Sequence, residues 1–568
     1  MKRTAIFFLI GILCAGIGWA AYQVAAPPEQ PLAKYVPPGA LLYLEAKDFS
    51  SVVADWNASS QKQQWLKSAD YEVFSRSRLF LRLKGASDEF ATAAGLPPDM
   101  NFLSQVAGHQ SALALFDIGN LQFLYITRLP SAQSLQTTLW QTRSKFEPRS
   151  AGAASFYVRR DPESKKEVAF AISGDYLLLA TREDLLAGAL LLMSGSNDRT
   201  LASEQWWSQS VASAGPAGDL RMVLNLEKVV PSPYFRTYWI QQNITDMKSY
   251  SAAVTDLFRS GKEYREERVL LKAAPKPDNA SASTSRSAAD LVRLVPDDAG
   301  FYEAQAAPSA DSCLALLETK LLAPHLGPAP ASQMAPLAQL TSGAAGGGSD
   351  LETRIDEAPV QRPATAQGGS SLNELLRGAS ILAALQVQST QRDTSGVFVH
   401  MHSAIALAAA SDWNDAAVRA ALVDSVRPAL TASQLGVGWR QKAGYQEFDG
   451  LFSLVAAVRG KYLIVSDDPA LLEAMLARES RKPDLKPAVF VAGFSHKRER
   501  ANFARFFGAL DRPNMPPPEA SNSQREPQFF SENLASLSAT LAGVSAENVV
   551  VRDAGDKVLQ TVTYEWAP

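Results

Sequence analysis

The sequence predicts an α+β protein with two homologous domains, each a largely antiparallel sheet with packed helices, behind an N-terminal hydrophobic helix. A proline-led strand phrase occurs twice, as Val36–Ala46 (VPPGALLYLEA) and as Val295–Ala304 (VPDDAGFYEA). The predicted segments run in the order strand, helix, several hairpin strands and helix, without the regular strand–helix–strand alternation of a parallel sheet. With 46% hydrophobic and 20% charged residues, the composition is that of a folded chain.

The N-terminal segment, residues 1–30, is predicted to be a signal anchor or a signal peptide. Lys2 and Arg3 precede an uncharged run over residues 4–22, which is typical of exported proteins. An uncleaved run would anchor the chain in the membrane, whereas cleavage before Ala21 would release it. We therefore expect a single-pass protein of the cell inner membrane with its bulk extracytoplasmic, or a periplasmic or secreted protein after cleavage.

The first repeat is predicted over residues 31–272. Asp48 or Ser50 is expected to cap a helix that carries Val52, Val53 and Trp56 on one face. Further strands are predicted over 111–116, 121–127, 156–159, 168–173, 176–180, 220–226 and 269–271. Further helices are predicted after Pro130, over 182–193, and around Met247, Val254 and Phe258.

A Pro-, Ser- and Ala-rich linker over 273–290 leads to the second repeat, predicted over 291–568. Two more segments recur in the same order: 372–385 matches 102–115, and 460–466 matches 174–180. Together with the opening phrase, the matches are offset by 259, 270 and 286 residues. The offset increases along the chain because the second repeat is longer. Part of the extra length is a low-complexity insertion at about 324–369, which is too poor in apolar residues to build a core.

Three stretches of the first repeat resemble bacterial exported proteins of the DUF3352 type, a domain of unknown function. They are PPGALLYLEAKDF at 37–49, YEVFSRSRLFLRL at 71–83 and GDYLLLAT at 174–181. The resemblance covers most of 31–272 and, more faintly, 292–490. It implies an extracytoplasmic bacterial protein and supplies no catalytic residue.

The histidines give little indication of metal or acid–base chemistry. His400 and His402 have the spacing of metal ligands, because residues i and i+2 of a strand point to the same face. No Cys, Asp or Glu lies close enough in sequence to complete the site, so a solvent-facing strand is the favoured interpretation. His109 is favoured as a turn residue over a catalytic base, and His325 falls in the insertion.

The acidic and aromatic candidates also have structural explanations. Glu45, with Glu303 as its possible counterpart, needs a second carboxylate for acid–base work, and a strand-end charge facing water is favoured. Five aromatic residues could line an apolar or carbohydrate site but are more typical of a core or an interface: Trp206, Trp207, Tyr234, Tyr238 and Trp239. The sequence contains no nucleophile elbow and no phosphate-binding glycine pattern. No catalytic, cofactor-binding or metal-binding residue is therefore predicted.

These observations favour a non-enzymatic binding, scaffolding or assembly protein of the bacterial envelope, with the membrane and an envelope protein as partners. A net charge of −3 argues against nucleic acid as a partner. The two cysteines, Cys14 and Cys313, exclude an internal disulfide framework. One alternative is an envelope hydrolase with a site between the repeats. Another is a carrier of an apolar ligand, indicated by strands such as Leu177–Ala180 that lack polar alternation; a carrier requires an apolar cavity between sheet and helices.

Overall fold

A computed structural model describes residues 31–67, 71, 75–76, 78–196, 198–232, 247–274, 282–322, 370–392, 399–430, 438–449, 453–499, 502 and 544–566. The predicted leader over 1–30 and the insertion from 324 to 369 lie outside these ranges. The fold is α+β with a large antiparallel sheet, as the sequence predicts. Among the described helices, none is both long and apolar enough to cross a membrane.

Among the described residues, twenty strands form the sheet, and each of their nineteen pairings is antiparallel. The first ten strands are β1 (Leu42–Ala46), β2 (Ser111–Asp117), β3 (Gln122–Arg128), β4 (Glu147–Ala151), β5 (Ala154–Arg160), β6 (Glu167–Ser173), β7 (Tyr176–Ala180), β8 (Leu220–Asn225), β9 (Tyr250–Arg259) and β10 (Glu263–Lys272). The next ten are β11 (Phe301–Ala306), β12 (Ile381–Arg392), β13 (Val399–Ala409), β14 (Gly438–Gln441), β15 (Gln446–Asp449), β16 (Val455–Arg459), β17 (Tyr462–Ser466), β18 (Phe490–Phe494), β19 (Val544–Asp553) and β20 (Lys557–Trp566).

The strand order is the same in both halves of the sheet. The pairings give β4-β5-β6-β7-β3-β2-β1-β8-β9-β10 in the first half. The second half follows the same order from β14 to β20. The halves meet where β10 pairs with β20, so one continuous sheet contains both.

A pseudo-two-fold axis crosses the sheet where the halves meet. Val254 pairs with Val269 in the first terminal hairpin, and Asn548 pairs with Thr563 in the second, so equivalent residues differ by 294. The same offset makes Glu267 equivalent to Thr561, and these two residues are direct partners across the β10–β20 pairing. The pseudo-two-fold axis therefore passes between Glu267 and Thr561 and relates β10 to β20.

Fourteen α-helices are described. They are α1 (Phe49–Ala58), α2 (Ser60–Leu66), α3 (Arg78–Ala94), α4 (Met100–Val106), α5 (Ser131–Ser134), α6 (Thr138–Gln141), α7 (Glu183–Met193), α8 (Gln205–Ser213), α9 (Leu226–Val229), α10 (Ala282–Leu291), α11 (Ala310–Leu317), α12 (Ser370–Gly378), α13 (Asp415–Leu430) and α14 (Pro469–Leu476). Short 3-10 segments lie at Leu32–Tyr35, Arg143–Lys145, Leu201–Ser203 and Val292–Leu294, and one π-helical turn lies at Glu318–Leu322. Asp48, one of the two predicted candidates, caps α1, and Asp468 caps α14.

Helices cover both faces of the sheet. In the first half, α7 and the turn Leu32–Tyr35 pack on one face with Tyr43, while α3, α4 and α6 pack on the other with Tyr125. In the second half, α10 and α14 share the face of α7, and α11, α12 and α13 cover the opposite face. Alternate residues of each strand therefore enter different cores.

Two sequence-based element predictions are wrong. Residues around Val254 form strand β9 rather than a helix, because Val254 pairs with Val223 on β8 and with Val269 on β10. Asp256 is charged but buried, so the sequence of this strand does not show the alternation of apolar and polar residues that would predict a strand. Residues 282–290, predicted as the end of a linker, belong to α10, whose Ala288 and Leu291 are buried.

The strand registers test the three repeat matches. The offsets of 259 for β1 and 286 for β7 agree with the registers, whereas β2 requires 273 rather than 270. The decisive pairs are Leu44 with Leu113 and the equivalent Glu303 with Gln386. The match of 102–115 with 372–385 is therefore three residues out of register in its strand part. In a helix, apolar residues three apart lie on the same side, so the sequence pattern does not reveal such a slip. In a strand, a slip by an odd number of residues places every side chain on the wrong face.

Candidate functional site: an apolar cleft in the first half

A cleft of about 890 Å³ lies in the first half between the sheet and helices α3 and α4. Its volume falls within the range of roughly 300–1,000 Å³ that is usual for small-molecule sites. The floor is formed by strands β1, β2, β3, β6 and β7, and most of the lining side chains are apolar. The molecule thus has the kind of cavity that a carrier of an apolar ligand requires.

The floor of the cleft follows from the pleat of β1 and β2. Leu42 and Leu44 point into the cleft from β1, whereas Tyr43 between them is fully buried in the core on the opposite face. Leu115 pairs with Leu42, and Leu113 pairs with Leu44, so four leucines form a continuous apolar patch. Each of the four is only partly buried.

Two helices form the wall that faces this floor. Helix α3 contributes Leu83, Ala86, Phe90 and Ala93, whose spacing of three or four residues places them on one side of the helix. Helix α4 contributes Phe102, Leu103 and Val106. The rings of Phe90 and Phe102 meet edge to face at 5.9 Å and join the two helices.

Helix α4 is fixed at its first turn. Asp99 caps it by accepting a hydrogen bond of 2.8 Å from the backbone N–H of Phe102. At its other end, the Val106 carbonyl accepts a hydrogen bond of 2.8 Å from the Tyr125 hydroxyl on β3. The apolar wall therefore sits on a capped helix that the Tyr125 hydroxyl ties to the sheet, which limits collapse of the cleft.

Polar groups gather at one end of the cleft. Lys165 and Lys166 come from the β5–β6 turn, Glu167 begins β6, and Arg182 follows β7. Glu89 of α3 faces them. The opposite end, near Ala46, Phe49, Phe102 and Val106, is mainly apolar, although Ser111, the partner of Ala46, also lines it.

The second half carries polar residues where the first has its leucine floor. The registers make Glu303 equivalent to Leu44, Gln386 equivalent to Leu113 and Gln388 equivalent to Leu115. The adjoining floor on β13 and β17 is covered by a packed cluster that includes Leu376, Trp413 and Leu422. The leucine floor is therefore a property of the first half.

Glu45 lies away from the cleft and makes structural contacts. It accepts hydrogen bonds from the Tyr43 hydroxyl at 2.8 Å, from Gln110 Nε2 at 2.7 Å and from the Leu32 backbone N–H at 3.4 Å. Glu45 is partly exposed, and besides facing solvent it joins the opening turn to β1 through the Leu32 N–H. Burial, together with the neighbouring Glu45, raises the pKa of Tyr43.

Glu303 is not the counterpart of Glu45. The register makes Ala304 equivalent to Glu45, so Glu303 points to the opposite face of the sheet. The structure therefore does not bring the two carboxylates together as an acid–base pair.

His400 and His402 lie two residues apart on β13, as expected, and both are at least partly exposed. His402 Nδ1 is 3.8 Å from Asp467, a carboxylate that the sequence alone could not associate with it. Burial raises the pKa of Asp467. No cluster of three or more potential metal ligands occurs in the part of the chain that the structure describes.

The remaining histidines are dispersed. His109 follows α4 in a turn, largely exposed, with Nδ1 3.7 Å from Asp48. His496 lies 3.7 Å from Glu547 and contacts the Phe494 ring. His325 falls outside the described residues.

Trp207 is a core residue, as predicted. It is 6% exposed and meets the Tyr43 ring edge to face at 4.8 Å. Trp206 packs partly against the same core and donates a hydrogen bond to Glu204. The predicted companions Tyr234, Tyr238 and Trp239 lie outside the described residues.

The fold and the cleft define an α+β protein with a repeated strand order and an apolar cavity in its first half. No protein-family profile and no curated protein matches the chain. Among solved structures, crystal form I of TP0453 is similar with a TM-score of 0.23 and 12% identity, over 44% of this chain and 82% of that chain. Crystal form III of the same protein gives 0.23 and 11%, over 44% and 84%. A similarity at this score carries no argument about function.

Proposed function

We propose that the first half binds a ligand with an apolar chain in the cleft between β1–β2 and helices α3–α4. The observation that carries this proposal is the patch of four leucines facing about 890 Å³ of unfilled space. Protein interiors are otherwise close-packed, with few voids larger than a water molecule. Burying a leucine side chain contributes roughly 1.5–3 kcal/mol, so an apolar chain lying on this patch recovers burial that the free protein lacks.

The two halves are proposed to be homologous domains that arose by duplication and then diverged in function. The shared strand order and the consistent register offsets support this interpretation. In the second domain, Glu303 and Gln386 replace the leucines of the floor. We infer that binding belongs to the first domain and that the second completes the sheet.

The carrier is proposed to work outside the cytoplasm of a bacterium, as a DUF3352-type protein that is a single-pass protein of the inner membrane or is released after cleavage. Nine residues separate the uncharged run 4–22 from Leu32, which is fully buried in the first domain. An extended chain of that length spans about 30 Å at most. If the run stays in the membrane, the first domain and its cleft are therefore held close to the bilayer.

The other candidate functions have less support. Glu89 and Glu167 are the carboxylates that line the cleft, and each is already paired with a basic side chain, so the cleft itself supplies no unpaired carboxylate for hydrolysis. Eight large apolar side chains of the described residues are exposed, four of them on helices α1–α3 and the others on separate elements: Trp56, Leu66, Leu81, Leu83, Leu135, Tyr264, Met401 and Phe494. A non-enzymatic envelope partner remains part of the proposal, as the recipient or donor of the ligand.

The test uses N-phenylnaphthylamine, a neutral apolar dye whose fluorescence rises on burial, with the full-length chain. Leu113→Gln and Leu44→Glu introduce the residues that the second domain has at these positions. Each is expected to weaken dye binding about tenfold or more, because a buried leucine contact is worth roughly 1.5–3 kcal/mol. Ala86→Trp, which fills the space from α3, is expected to act similarly.

The matched control is Leu135→Gln, which makes the same chemical change at an exposed leucine outside the cleft. Circular dichroism checks that every variant is folded. If Leu113→Gln, Leu44→Glu and Ala86→Trp all bind the dye as well as Leu135→Gln does, the cleft is not the binding site. If the unsubstituted chain does not bind the dye, the proposed function is wrong.

A further inference from the structure

The polar and apolar linings of the cleft are segregated along the strands. Thr181 Oγ1 accepts a hydrogen bond from the Phe123 backbone N–H at 2.9 Å, which fixes the start of β3 beside the end of β7. Lys165, Lys166 and Arg182 line the cleft at this end, and we call these three residues the basic rim. A ligand with one polar end would be oriented by this arrangement, with its chain directed towards α4.

The two carboxylates at this end are already neutralised. Glu89 lies 3.4 Å from Lys166 and 3.4 Å from Arg82. Glu167 lies 2.5 Å from Arg160 and also accepts the backbone N–H of Glu183 at 2.8 Å. Since Arg82 and Arg160 are not among the lining residues, they balance these acids from outside the cleft.

Lys165 has the fewest competing contacts of the basic rim. Its ammonium donates a hydrogen bond of 2.7 Å to the Pro162 carbonyl, and no described carboxylate pairs with it. Lys166 and Arg182, by contrast, pair with Glu89 and Asp184. The Lys165 charge is therefore available to a group in the cleft.

Backbone strain is concentrated at the same place. Three non-glycine residues of the described chain have a left-handed backbone, and two of them, Lys165 at φ 60° and Leu121 at φ 49°, line this end of the cleft. Such conformations cost about 1–3 kcal/mol each and persist where the surroundings hold them. Both residues lie in hairpin turns, Leu121 between β2 and β3 and Lys165 between β5 and β6, so these turns shape this end of the cavity.

We propose that the ligand carries an anionic head group, a carboxylate or a phosphate, which lies at the basic rim while its apolar chain lies on the leucine floor. The proposal rests on the proposed function and adds the ligand's charge and direction. The head group would pair with Lys165 and approach Lys166. If Lys166 turns from Glu89 to the ligand, Glu89 remains paired with Arg82. The chain would run towards Phe102 and away from the charged end.

The experiment compares hexadecanoate, hexadecyl phosphate and hexadecanol, which share one chain, as competitors of the neutral dye on the full-length protein. In the double variant Lys165→Gln/Lys166→Gln, the Kd of the acid and of the phosphate is expected to rise about tenfold, the size of one hydrogen bond to a charged group. The Kd of hexadecanol is expected to stay within about twofold. Lys145→Gln, an exposed lysine outside the cleft, is the matched control.

Each outcome decides one point. A stronger effect on the phosphate than on the acid identifies a phospholipid-like head, and the reverse identifies a fatty acid; both support the proposal. Equal loss for the alcohol and for the two anions, or no loss for any of them, overturns the head-group assignment while binding in the cleft stands. If none of the three ligands displaces the dye from the unsubstituted chain, the cleft does not take such chains.

Discussion

The buried ion pair between Arg221 on β8 and Asp256 on β9 offers a stability test, and the equivalent apolar pair of the second half shows which substitution to use as its control. Asp256 is nearly fully buried and accepts hydrogen bonds from Arg221 Nε at 2.8 Å and from Arg221 Nη2 at 2.7 Å. The backbone N–H of Gly218 donates a third, at 2.9 Å. At the equivalent register of the second half, Val491 pairs with Val550.

The expected magnitudes differ sharply between single and double substitutions. Asp256→Val leaves the Arg221 guanidinium buried without its carboxylate, and removal of one partner of a buried pair costs about 3–5 kcal/mol. Replacing both partners with well-packed apolar residues is often neutral or stabilising by about 1–4 kcal/mol. We therefore expect Arg221→Val/Asp256→Val, which reproduces the second half, to recover most of the free energy of unfolding lost in Asp256→Val.

The assay is a urea titration read by pulsed hydrogen exchange and mass spectrometry, because peptides from β8 and β9 then report separately from the second half. The midpoint for these peptides should fall in Asp256→Val and return in the double variant. If Asp256→Val loses less than about 1 kcal/mol, the pair is not acting as a desolvated ion pair. If the double variant is as unstable as the single one, the equivalence of the two halves at this register is wrong.

Three further predictions concern single side chains. Tyr43→Phe removes the hydroxyl that donates to Glu45 and should cost about 1.5–3 kcal/mol by the same urea titration; an unchanged midpoint would contradict this. The hydrogen bond from Ser50 lowers the pKa of Asp48, so the stability that Asp48 contributes is complete above the unfolded carboxyl pKa of about 3.9 and is lost as pH falls through the folded value. The stability difference between the unsubstituted chain and Asp48→Asn should accordingly shrink as pH falls below about 4. Burial raises the pKa of Cys313 to about 12, so iodoacetamide should label its peptide at pH 8 only after unfolding; labelling of the folded chain would contradict this.

Local elements of the first half could be predicted where chemistry and pattern coincide. A short side chain with an acceptor oxygen before an amphipathic run predicts a cap at Asp48 or Ser50, and Asp48 caps α1 through the backbone N–H of Ser51. The apolar run at 176–180 predicts a strand, and it forms β7. In both cases, the deciding interactions lie within a few residues of each other in the chain.

The cleft could be anticipated only as an alternative, because its floor depends on pairings between distant segments. The leucines at 42 and 44 form part of an apolar run, and nothing in that run says which face is packed and which is open. The open face is set by the pairing of these leucines with Leu113 and Leu115, which lie about 70 residues further along the chain. One local signal was available: the apolar residues of α3 from Leu83 to Ala93 are spaced by three or four, as for a helix with one apolar side.

The repeated opening phrase can now be explained face by face. Tyr43 and Tyr302 occupy equivalent positions and point away from the cleft, Tyr43 into the core beside Trp207 and Tyr302 towards Asn548 on β19. The next residue along each strand points to the opposite face, and there Leu44 is replaced by Glu303. The tyrosine is therefore retained between the halves, while the neighbouring position, on the face that would hold a ligand, has changed. Successive residues of a strand point to opposite faces of the sheet, so a substitution on one face can leave the side chain on the other face in place.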